Sequence, residues 1–169
     1  MISLRFPHLT GLVWLVTAGL ATAEPLSPPT NEVVLTVTGE IGNTNTPDAA
    51  QFDLDMLEAL GTVEFETTTI WSEGPQVFRG VPLIRLVEVL EAGGSVIHAV
   101  ALNEYTVEIP LSDVVEGGPI LAFEQNGARL SVRDKGPLWV VYPYDSKPDY
   151  QSELIYVRSI WQLAHMEFR

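Results

Sequence analysis

Apolar residues along this chain recur with two periods, about 2 and about 3.6 residues, which are the signatures of strand and helix. Val33 to Thr38 (VVLTVT) alternates and is β-branched, predicting a strand that ends at Gly39. Gly42 to Ala50 is polar and reads as a loop. Asp53 then precedes Leu54, Leu57 and Leu60, with Gly61 beyond them. A capping carboxylate, leucines three apart and a terminal glycine predict a short amphipathic helix. Val63 to Trp71 (VEFETTTIW) returns to alternation, a strand with Val63, Phe65 and Thr67 on one face, and Ser72 to Gln76 reads as a turn around Gly74-Pro75. Pro82 suits a first helical turn, and Leu83, Leu86, Val87 and Leu90 form the buried stripe of a second helix before Gly93-Gly94.

From Val96 the pattern is β. Val96 to Leu102 and Tyr105 to Ile109 flank Asn103-Glu104, and Ile120 to Glu124 and Arg129 to Val132 flank Asn126-Gly127, so two hairpins are expected. Leu138 to Tyr142 is almost continuously apolar and reads as a central strand. Tyr144 to Ser152 is a polar loop, and Leu154 to Phe168 is expected to supply the closing strands. Seven or eight strands with two short helices make a single α+β domain.

The first residues change the picture of where this domain works. Arg5, the apolar stretch Gly11 to Leu20 and the exit Ala21-Thr22-Ala23 match a secretory signal peptide over residues 1–23. The apolar run is well short of the ~20 residues a spanning helix needs. Residues 24–32 then form an extended, proline-rich leader, residues 33–169 the domain, and the destination is the periplasm or the exterior. Loss of Arg5 would deepen the formal net charge from −13 to −14. Solubility is the plainer reading of so acidic a surface; it also argues against nucleic acid as a partner and leaves room for a cationic patch on another protein. The sequence has no cysteine, so disulfides and thiolate metal ligands are excluded.

Particular strings carry a resemblance. They are Phe78 to Leu83 (FRGVPL), Asn103-Glu104-Tyr105, Val107 to Leu111 (VEIPL), Ile120 to Glu124 with Asn126-Gly127, and Gly136-Pro137-Leu138. In order and spacing they resemble the oxidoreductase molybdopterin-binding domain of the sulfite oxidase family, over roughly Val33 to Trp161. The resemblance implies that fold, a mixed, β-rich domain with two or more short helices, and a molybdopterin site. It also implies a cysteine that ligates molybdenum, just before the FRGVPL-like string. Here that stretch is Thr67 to Ser72 (TTTIWS), so a threonine stands about where the thiolate would be, and its hydroxyl is a poor ligand for a soft site. A His-Gly pair and a following arginine of the family pattern are replaced by Lys135-Gly136 and Trp139.

On the resemblance, the pocket would draw on Thr68, Trp71, Arg79, Asn103, Tyr105, Lys135, Tyr142 and Tyr144. Each has a plainer reading: Trp71 as a core aromatic, Arg79 as the partner of a surface carboxylate, the tyrosines of residues 142–150 as a cover for the sheet rather than a recognition surface. His98 and His165 lack metal-ligand spacing, and no catalytic motif is present. The reading favoured by these residues is an exported, non-catalytic protein of molybdopterin-binding-domain type that binds a small ligand or a protein partner, its cofactor unknown. Two others stay open: an oxidoreductase with a cysteine-free molybdenum site, and a periplasmic input partner of a membrane sensor.

Overall fold

The computed structural model describes residues 25–169; the expected signal peptide lies outside the described residues. The strands are β1 (Leu35–Gly39), β2 (Ala50–Phe52), β3 (Val63–Thr69), β4 (Ser72–Pro82), β5 (Val96–Ala101), β6 (Thr106–Pro110), β7 (Ile120–Gln125), β8 (Ala128–Arg129), β9 (Trp139–Val141) and β10 (Leu163–Phe168). The helices are α1 (Leu54–Ala59), α2 (Leu83–Val89) and α3 (Glu153–Arg158). The first sheet runs β2-β1-β10-β5-β6, with β1 and β10 parallel and every other pair antiparallel. The second runs β3-β4-β7-β8, with β9 also on β7, all antiparallel. Buried residues of both sheets and all three helices join in one hydrophobic core. The α+β class expected from the sequence is the one found.

The two expected helices form for the expected reasons. The Asp53 carboxylate accepts from the Met56 N–H at 2.9 Å, capping α1, and Gly61 ends it at φ +97°. Asp53 is itself buried and also accepts from the N–H groups of Thr30 and Asn31, at 2.9 Å each, which ties the leader to the domain. Those N–H groups, Met56 first, hold its carboxyl below the usual range. In α2, Leu83 and Leu86 are fully buried, and so is the following Leu90; each is worth roughly 1.5–3 kcal/mol when removed from water.

Five expectations are corrected. Ser72 to Gln76 is not a turn: the chain reverses at Ile70–Trp71, and Gly74-Pro75 lies in a bulge where β4 passes Thr68 between the pairs Thr67–Gln76 and Thr69–Ser72. The polar loop of Gly42 to Ala50 gives way at its end to the short strand β2, which pairs with β1. Leu138 to Tyr142 is not central. Its strand β9 covers three residues on the edge of β7, and its other edge is closed by hydrogen bonds from Val140 N–H to the Ile160 carbonyl and Leu163 N–H to the Leu138 carbonyl. Leu154 to Arg158 is helix rather than strand: Ile155 is buried and Tyr156 packs against the core, while Leu154 and Val157, three apart on one helical face, stay exposed. Residues 142–150 do not present their tyrosines to solvent; Tyr142, Tyr144 and Tyr150 are all buried.

Candidate functional site

Three connections meet at one end of the molecule. The β3–β4 reversal brings Ile70 and Trp71, the β5–β6 turn brings Asn103 and Tyr105, and α3 with the segment after it brings Tyr156, Val157, Ser159, Ile160 and Trp161. With Ala101 they line a cleft of about 420 Å³, within the range of small-molecule sites.

The aromatic walls hold one another in place. The Trp71 ring meets Trp139, Tyr156 and Trp161 edge-to-face, with centroids 5.6, 5.8 and 5.6 Å apart. Such contacts are worth about 0.5–1.5 kcal/mol each beyond burial. Trp139 is the buried floor: it packs on Phe78 at 5.3 Å, and its indole N–H donates to the Ser159 carbonyl at 3.1 Å. Ser159 has nothing left for chemistry. Its hydroxyl donates to the Ile155 carbonyl at 2.8 Å and accepts from the Tyr144 hydroxyl at 2.7 Å. The lining contains no acid, base or histidine. Besides the fastened Ser159, its polar side chains are Asn103, whose Oδ1 accepts from the Tyr105 N–H at 3.2 Å, and the phenols Tyr105 and Tyr156. Such a lining suits binding by apolar and aromatic contact.

The residues singled out from sequence, Thr68 apart, divide into four groups. Trp71, Asn103 and Tyr105 line the cleft. Tyr144 and Lys135 lie behind it, Tyr144 with its ring 6.2 Å from Trp71 and Lys135 with its Nζ 5.3 Å from the centre of the Trp139 ring. Tyr142 is deeper still and donates to Asp113 at 2.9 Å, next to the Arg158–Asp113 ion pair. Arg79 belongs elsewhere: it pairs with Glu124 at 3.1 Å and Glu58 at 3.5 Å, over the Phe123 ring. Missing from the sequence reading were Ile70 and Ala101, and the group Tyr156, Val157, Ser159, Ile160 and Trp161 on and after α3. The signal for that group was the cap-like Ser152-Glu153 and the terminal Arg158, which mark α3.

Thr68 stands beside the cleft, with its hydroxyl fastened. Its Oγ1 donates to Asp145 Oδ1 at 2.7 Å, its N–H donates to Asp145 Oδ2 at 2.5 Å, and the Asp145 N–H returns a bond to Thr67 Oγ1 at 3.1 Å. The Thr68 hydroxyl and N–H hold the Asp145 carboxyl below the usual carboxylate range. Thr69 Oγ1 is shared with Ser72 Oγ at 2.7 Å and accepts from the Trp71 N–H at 3.1 Å. A molybdopterin would need a thiolate for its metal and cations for its phosphate. The chain has no cysteine, the cleft lining has no cation, and the nearby Arg158 is committed to Asp113 at 2.9 Å. The residues present do not fit that group. Among the described residues, no three His, Asp or Glu side chains are grouped to hold a metal ion, and no helix is long and apolar enough to cross a membrane.

Fold and site together define an α+β protein of two sheets whose chain reversals build an uncharged aromatic cleft. The crystal structure of the sulfane dehydrogenase SoxCD from Paracoccus pantotrophus shares the fold, with a TM-score of 0.58 at 17% sequence identity. The match covers 86% of this chain and 39% of that one, so the protein spans about two-fifths of the dehydrogenase chain. The likeness is one of fold, and it agrees with the fold that the sequence strings implied. No family model and no curated protein matches the sequence.

Proposed function

We propose that this protein is an exported, non-catalytic binding module on the fold of a molybdopterin-binding oxidoreductase domain, with the aromatic cleft as its binding site. The observation that carries the reading is the lining: four aromatic rings and four aliphatic side chains, and no thiolate, cation or free base. Where the resemblance implies a metal-ligating sulfur, Thr68 spends its hydroxyl on Asp145. A ligand or partner would be held by burying apolar surface, at about 25 cal/mol per Å² before the costs of association.

The test is the composition of the protein recovered from the periplasm of cells that make molybdenum cofactor. The expected result is neither molybdenum nor pterin above trace. Stoichiometric molybdenum with pterin overturns the non-catalytic reading in favour of a cysteine-free oxidoreductase. Retention of the protein in the cytoplasm overturns the export.

A further inference from the structure

Among the described residues, ten large hydrophobic side chains remain exposed, and six of them lie on the elements that frame the cleft. These are Ile70, Leu102, Tyr105, Leu154, Val157 and Trp161, with Ile70 and Leu154 the most open at 60% and 58%. Scattered exposed apolar residues are ordinary, but a contiguous group marks an interaction site. A ligand confined to the cleft would leave Leu102 and Leu154 in water, because neither belongs to the lining. A polypeptide laid across the cleft would cover them.

Charge selects among the occupants. A second copy of the chain, a nucleic acid and an anionic lipid surface are all negative, and each would meet a protein of formal net charge −13. The rim is itself acidic on three elements. Exposed Glu104 sits between Asn103 and Tyr105, exposed Glu153 lies one turn before Val157 on the same face of α3, and exposed Glu73 follows Trp71 by two residues. On the remaining side the turn of residues 131–135, which accepts two hydrogen bonds from Gln162, carries Arg133 and Lys135 against Asp134. The Lys135 ammonium there rests over the Trp139 ring. Arg158, the neighbour of Val157, is paired with Asp113.

We propose that the cleft and its rim dock a basic segment of a partner protein, one or two large apolar side chains entering the cleft against the contacting rings of Trp71 and Trp161 while flanking Lys or Arg face Glu104 and Glu153. This rests on the reading of the chain as a binding module and names its partner's chemistry. The apolar anchors supply affinity, and the acids supply encounter rate and the choice of partner.

A displayed library of random peptides about twelve residues long, selected on the protein recovered from the periplasm, tests the docking mode. The expected enrichment is of peptides with Leu, Ile, Phe or Trp anchors flanked by Lys or Arg. A synthetic peptide from that set should lose about tenfold or more in affinity on Val157→Arg, and about threefold to tenfold on Glu104→Lys, by isothermal calorimetry. Both positions are exposed, and unchanged unfolding curves confirm that each variant folds. No enrichment, enrichment of acidic or anchor-free peptides, or equal binding by both variants overturns the proposal. Saturable binding of indole without any peptide enrichment overturns the docking mode and leaves the binding-module reading standing; molybdenum and pterin in the protein overturn that reading itself.

Discussion

Residues 142–150 (YPYDSKPDY) and residues 153–161 (ELIYVRSIW) both interleave aromatic rings with charge, and end in opposite positions. The first stretch turns its rings inward. Tyr142 donates to Asp113 at 2.9 Å, Tyr144 donates to Ser159 at 2.7 Å, and Tyr150 packs on Tyr142 at 5.4 Å beneath the Lys147 ammonium. Burial pushes the Tyr142 and Tyr144 hydroxyls well above the ordinary tyrosine range, so both stay neutral and keep the proton they donate. In the second stretch only Ile155, Ser159 and Ile160 are buried, and Tyr156, Val157 and Trp161 remain at the cleft. Tyr142 and Tyr144 go inside with their hydroxyls satisfied there, whereas Tyr156 and Trp161 stay at the cleft surface. A tyrosine is buried at least cost where its hydroxyl finds a partner inside.

The sharpest way to break this comparison is to remove the floor on which the cleft residues of the second stretch rest. Trp139 is fully buried, touches Phe78, Trp71 and Trp161 edge-to-face, and bonds to the Ser159 carbonyl. Trp139→Ala should cost about 3–5 kcal/mol of stability in urea unfolding. A loss below ~1 kcal/mol would mean that the rings around the cleft are not held by this core.

A smaller effect is expected at the joint between β3 and residues 142–150. Asp145→Asn replaces an oxygen facing the Thr68 donors with an amide, and should cost ~0.5–1 kcal/mol at neutral pH, discounted because Asp145 is exposed. The pH dependence follows from the direction of its shift. The folded carboxyl titrates below the ordinary aspartate value of about 3.9, so its contribution is full above about pH 4 and fades as pH falls through the folded pKa. Wild type and variant should therefore converge in stability in acid. A gap that stays constant from neutral to acid pH would show that the Thr68–Asp145 contact is not charge-assisted.

These contrasts also explain how much was legible beforehand. The FRGVPL-like string is a fold signature in physical terms. Phe78, Val81 and Leu83 are core, Arg79 pairs at the surface, and Pro82 leads into α2. At Gly80 an added Cβ would lie 2.3 Å from the Leu121 carbonyl oxygen of the neighbouring strand. Each residue there answers to packing, which is why the string conveyed architecture without chemistry. The Asp53 cap and the Asn126-Gly127 hairpin were readable because a local interaction decides them. The cleft was not. It is assembled from reversals at residues 70, 103 and 156–161 that are distant in sequence, and half of it depends on α3. Leu154-Ile155-Tyr156-Val157 reads as strand by composition but is helix, with the adjacent Ile155 and Tyr156 toward the core and Leu154 and Val157 exposed, a pattern that strand alternation does not give.

The smallest stability change sharpens the comparison most. Leu154 is 58% exposed on the outer face of α3, at the margin of the cleft, so it contributes little apolar burial to folding. Leu154→Gln exchanges one good helix former for another and should leave stability within about 0.5 kcal/mol of wild type. If residues 153–161 are a surface held ready for a partner, the same substitution should weaken the basic, apolar-anchored peptide severalfold, because a side chain that is idle in the free protein is buried only in the complex. A loss of stability well beyond that range would instead place Leu154 among the packing residues. The two neighbouring stretches would then differ in degree of burial rather than in role.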